Sequence, residues 1–134
     1  MKKILIFIIL ISIPAFATDF IEERKTNFRE NKDSMKLIYS AIQSNDFNLI
    51  SENGKKIALW AEKMHEYFPP GSVSRGSSET IWENFEQFKN KAKDNKDAAT
   101  NLVLFAAEKN LDKVKSSFSQ LSDTCKSCHR SFKN

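Results

Sequence analysis

Apolar residues at steps of three and four run through Ala99, Val103, Ala106, Leu111, Val114, Phe118 and Leu121, and the run ends in Cys125 and Cys128. That spacing returns one face of an α-helix to the same side every turn, so both cysteines continue a stripe meant for burial. A helix of this kind cannot bury its stripe alone and needs others packed against it. The chain supplies them. Phe20, Ile21, Phe28, Met35, Ile38, Ala41 and Ile42 predict an amphipathic helix over about Asp19 to Ser44. Asp46 can cap a second, striped by Leu49, Ile50, Ile57, Trp60, Ala61, Met64 and Phe68, which stops before Pro69, Pro70 and Gly71. The stretch from Pro69 to Ser78 reads as the one substantial loop. A short third helix buries Ile81, Trp82, Phe85 and Phe88, the charged segment Lys89 to Lys96 reads as a solvated helix end and turn, and Asp97 opens the last helix. With three glycines and three prolines in 134 residues, little interrupts helix. The expected fold is all-α, an antiparallel up-and-down four-helix bundle.

The first residues read differently. Lys2 and Lys3 precede an apolar run from Ile4 to Ile13, and Ala15 and Ala17 supply a small-residue cleavage site. This is the profile of a signal peptide over residues 1–17, cut after Ala17, with one domain over 18–134. The expected product is exported to the periplasm with no membrane span after cleavage. The formal charge of +4 falls to +2 once Lys2 and Lys3 are removed, which is too little for a nucleic-acid-binding footprint.

Cys125, Lys126, Ser127, Cys128 and His129 form a C-x-x-C-H sequence, the pattern of covalent haem c attachment. Two thiols three positions apart can each add to a haem vinyl group, and the next residue brings an imidazole to the iron. On a helix, Cys125 and His129 share a face, while Cys128 lies about 100° around from His129, so the three can reach separate points of one flat ring. A Cys125–Cys128 disulfide would leave His129 without a reason. A zinc site lacks ligands, since the only other histidine is His65 on another segment, and a thioredoxin-like dithiol belongs in a βαβ setting that this pattern lacks.

The position of the motif at the end of the last helix resembles the class II cytochromes c, the cytochrome c′ and cytochrome c-556 family. Further likenesses are Arg24-Lys25 on the first helix, Phe68-Pro69-Pro70-Gly71-Ser72, Ile81-Trp82, and Phe132 and Lys133 after the motif. The resemblance implies that the first helix crosses the haem face opposite His129 and that the residue four positions after Arg24 decides ligation. That residue is Phe28, which has no lone pair to offer, whereas c-556-like electron carriers place a methionine there. The implied iron is five-coordinate and high-spin, binding NO and CO and taking part in single-electron transfer with a periplasmic redox partner. The rival reading is a low-spin carrier with a sixth iron ligand; Met35 and Met64 read as core filler. The resemblance further implies that Arg24 and Lys25 meet haem propionates, that Trp82 stands beside the haem, that Lys133 replaces a usual arginine, and that two copies can pair through their first helices. No general acid or base is expected on the distal side, so a binding protein rather than an enzyme is implied.

Overall fold

The computed structural model describes residues 15–134, and residues 1–14, which hold most of the expected signal peptide, lie outside them. Helix α1 spans Ala15–Ser44, α2 Phe47–Lys63, α4 Phe85–Ala107 and α5 Leu111–Phe132, with a 3-10 turn at Met64–Tyr67 and a single helical turn, α3, at Thr80–Glu83. Among the described residues there is no strand beyond one isolated bridge between Ser74 and Ser77. The four-helix bundle is therefore as expected, but its segmentation differs from the sequence reading.

Lys89 to Lys96 is not a turn. It lies inside the continuous helix α4, where Ala92 and Asn95 face inward. The break falls later, inside the stripe read as one helix. Lys109 takes a left-handed backbone conformation with φ 53°, and Asn110 then caps α5 by accepting a hydrogen bond from the Lys113 amide at 3.1 Å. The turn from α1 to α2 repeats this construction, with Asn45 left-handed at φ 56° and Asp46 accepting from the Leu49 amide at 3.0 Å.

Two cores divide the bundle. Ile38, Ile50, Ile57, Leu102, Val114 and Leu121 form an aliphatic centre. Trp60, Met64, Phe68, Ile81, Phe88 and Phe132 form an aromatic-rich second cluster, with Phe28 and Cys128 packed against it. Helix α2 packs along α4, α4 along α5 and α1 along α2, whereas α1 and α5 barely touch. Helices α2 and α4 come close at Gly54, where a Cβ would stand 2.8 Å from Val103 Cγ2. Val103 is β-branched and cannot turn its methyl aside freely, so Gly54→Val should cost about 2 kcal/mol of stability by overpacking. Adding Val103→Ala should recover most of that loss, as read from urea unfolding midpoints.

Candidate functional site

The gap between α1 and α5 is a cavity of about 730 Å³. Its walls are mainly apolar: Phe28 and Met35 from α1, Ile57 from α2 with Met64 just beyond it, Phe68 from the loop, Ile81 from α3, and Phe88 from α4. Cys125, Cys128 and His129 line it from the last turns of α5. The structure thus brings the whole C-x-x-C-H triad to one cavity, with Phe28 on the α1 wall.

Each of these side chains is held by its surroundings. Both thiols are free. Burial raises the pKa of Cys125, partly offset by hydrogen bonds from Asn95 and Thr124, and burial together with Cys125 pushes the Cys128 thiol up to about 11. A thiol–disulfide protein uses a thiol whose pKa is lowered, the opposite of the direction that burial gives both thiols here. Burial, reinforced by Lys133, pulls the His129 imidazole below its ordinary pKa, which favours the neutral form that carries a lone pair. Among the described residues no group of three His, Cys, Asp or Glu side chains is placed to hold a metal ion, and His65, on the 3-10 turn, does not line the cavity.

Arg24 is 2% exposed, and its two terminal nitrogens are spent on the end of the 3-10 turn and the loop after it. Nη1 donates to the Tyr67 carbonyl at 3.2 Å and Ser72 Oγ at 2.8 Å. Nη2 donates to the Ser72 carbonyl, to Ser74 Oγ at 3.2 Å and to Ser77 Oγ at 3.1 Å. The guanidinium also lies 4.3 Å over the Phe68 ring. Every acceptor is neutral, and burial lowers the pKa of the group. The loop is tied at its other end to α5: the Ser78 amide donates to the Phe132 carbonyl at 2.9 Å, and Thr80 Oγ1 donates to the Ser131 carbonyl at 3.1 Å. Within it, Pro70 and Gly71 (φ 81°) make a turn that the Ser72 amide closes onto the Pro69 carbonyl at 3.1 Å.

Trp82 does not line the cavity. Its indole N–H donates to the carbonyls of Phe68 and Pro69, both at 3.1 Å, so it braces the loop from behind. Lys25 and Lys133 lie at the cavity lining. Three further contributors were not singled out from the sequence. Trp60 meets Phe28 edge-on at 5.3 Å. Asn95, 6% exposed, donates to Thr124 Oγ1 at 2.9 Å and to Cys125 Sγ at 3.4 Å. Lys91 donates to Ser127 Oγ at 2.7 Å. The signal for Asn95 was its spacing, since Phe88, Ala92, Asn95 and Ala99 recur at three or four residues.

Two thiols and a neutral imidazole on one helix, facing an apolar slot with cations at its rim, match an amphiphilic planar ring that bears carboxylates. An antiparallel bundle with such a slot between its first and last helices is a cofactor-binding bundle of the c-type cytochrome kind. Residues 19–133 match the family described as Cytochrome C′, and the chain belongs to that family, whose members carry one covalently attached haem c. It is 29% identical over 119 residues to cytochrome c′ of Rhodospirillum rubrum, covering 85% of this chain and 81% of that protein. Its fold is similar to that of a variant cytochrome c′ from Alcaligenes xylosoxidans solved as a nitric oxide complex, with TM-score 0.80, 20% identity, and coverage of 88% and 95%. It is also similar to a cytochrome c′ with ligand-controlled dimer dissociation, with TM-score 0.81, 22% identity, and coverage of 87% and 95%.

Proposed function

We propose that this chain is a periplasmic monohaem cytochrome in which Cys125 and Cys128 form the two thioethers, His129 is the iron ligand, and Phe28 covers the opposite face without ligating. The carrying observation is that the complete triad and Phe28 line one cavity between α5 and α1. Bound there, haem c supplies an iron that takes a diatomic ligand and exchanges one electron. The residues do the rest. The aromatic cluster would exclude water, Lys25 at the lining, paired with Glu22 at 2.8 Å, would offer positive charge to the propionate carboxylates, and the buried Arg24 adds a charge that no carboxylate of the described residues neutralises within 4 Å. Phe28, with Met35 further along the same wall, presents apolar surface on the distal side, which favours NO and CO over O2, a ligand that relies more on a distal hydrogen-bond donor. The reading is of a gas-binding and electron-transfer protein, with no turnover of substrate and export directed by residues 1–17. Leu37 and Tyr39, 45% and 61% exposed on α1, support pairing of two copies through that helix.

One observation favours the second reading, a low-spin carrier: Met35 and Met64 both line the cavity and each has a thioether able to ligate iron. Absorption spectra of the matured protein separate the two. The expected result is a broad high-spin Soret band in both oxidation states and a spectral shift on adding NO or CO. A sharp low-spin spectrum that Met35→Leu or Met64→Leu converts to high spin would establish the rival.

A further inference from the structure

The chain has 21 Lys and Arg against 17 Asp and Glu, yet the cavity and its mouth are lined by seven cations and no carboxylate. Four of the cations are already engaged. Arg24 clamps the loop, Lys25 and Lys126 pair with Glu22 and Asp123 at 2.8 and 3.3 Å, and Lys91 donates to Ser127. The remaining three, Arg29 and Lys32 on α1 and Lys133 at the end of α5, are exposed and make no ion pair among the described residues. They come from the two helices that flank the slot, two from α1 and one from the end of α5, so the positive charge lies on both sides of it and suits an acidic surface that spans the slot. Positive charge gathered around an apolar cavity raises the local concentration of negatively charged partners and orients their approach.

We infer that Arg29, Lys32 and Lys133 form a docking rim for the acidic face of a one-electron redox protein. The inference rests on the haem reading above and names the partner's chemistry at that same site. One electron leaves the ferrous iron, which becomes ferric, and the partner's one-electron acceptor gains it; no bond or proton need move. The reverse transfer uses the same surface.

The test uses the haem-loaded, reduced protein in stopped flow, with hexacyanoferrate(III) as an anionic oxidant and tris(phenanthroline)cobalt(III) as a cationic one. Oxidation by the anion should slow by roughly tenfold from low to physiological ionic strength, and oxidation by the cation should quicken. The double variant Arg29→Gln, Lys32→Gln should lose most of that salt response, its low-salt rate with the anion falling roughly threefold or more. The pair Lys55→Gln, Lys115→Gln removes the same charge from exposed sites outside the cavity lining and should leave the rate near that of the unaltered protein. Short poly-L-glutamate should slow hexacyanoferrate oxidation of the unaltered protein but not of the Arg29, Lys32 variant. Equal effects from both pairs would reduce the rim to net charge and overturn the inference, as would a lack of competition by poly-L-glutamate. Sedimentation with phosphatidylglycerol vesicles, abolished in the Arg29, Lys32 variant while poly-L-glutamate does nothing, would make the rim a membrane face and also overturn it. The haem spectrum and NO binding of each variant are recorded first. Their loss in the unaltered protein sinks the haem reading itself, whereas intact NO binding with no rim effect sinks only the docking surface.

Discussion

Replacing Phe28 with Met is expected to turn the matured protein from high spin to low spin, the largest spectroscopic change that a single substitution here can make. Phe28 lines the α1 wall of the cavity and packs edge-on against Trp60 at 5.3 Å and Phe68 at 6.4 Å, so its position is set by the aromatic cluster. A methionine there is similar in bulk and flexible, and its thioether presents the lone pair that a phenyl ring lacks. With the sixth position filled, apparent affinity for CO should fall by tenfold or more, because only the fraction of molecules with the methionine displaced can bind. Phe28→Leu is the matching control: it should stay high spin and bind NO faster, having less bulk and no ligand to offer. A Phe28→Met protein that remains high spin, with full CO affinity, would show that Phe28 does not face the iron.

Arg24→Met should give the largest loss of stability, roughly 3 kcal/mol, because it leaves several buried oxygens without a donor. Ser72 and Ser77 are 1% and 4% exposed, so water cannot readily replace the guanidinium at their hydroxyls or at the Ser72 carbonyl. Arg24→Lys should restore little, since a single ammonium cannot span the two rows of acceptors that the planar fork reaches. Urea unfolding measures the loss, and hydrogen exchange should place it first in the loop from Phe68 to Ser78. An Arg24→Met protein as stable as the original would mean that the loop is held by its ties to α5 alone.

Arg24 also illustrates what a sequence conceals. Its spacing from Phe28 put it on the correct face of α1, and the family resemblance pointed it at a propionate. What it touches depends on residues 43 to 53 positions away in the chain, brought to it only when the loop closes. Trp82 depends on the fold in a similar way: its N–H is satisfied by the loop carbonyls of Phe68 and Pro69, and its ring packs 6.5 Å from that of Phe68. The misread turn at Lys89 to Lys96 has a different cause. A helix wall that faces a ligand slot fills its inner positions with small or polar residues such as Ala92 and Asn95, so the apolar periodicity lapses just where the site is.

Local chemistry therefore determined a good deal without the fold. Periodicity fixed the helical class, because burying one stripe per helix leaves few arrangements other than a bundle, and Cys125, Cys128 and His129 were legible as a candidate site because all three ride on consecutive turns of a single helix. Tertiary structure alone decided that α1 and α5 stand apart, that Met35 and Met64 border the resulting slot beside Phe28, and that the rim carries cations with no carboxylate among them. The reason is physical: contacts within one helix are set by neighbours a few residues away, whereas the width of a cavity and the charge at its mouth are sums over side chains from helices that the sequence lists far apart.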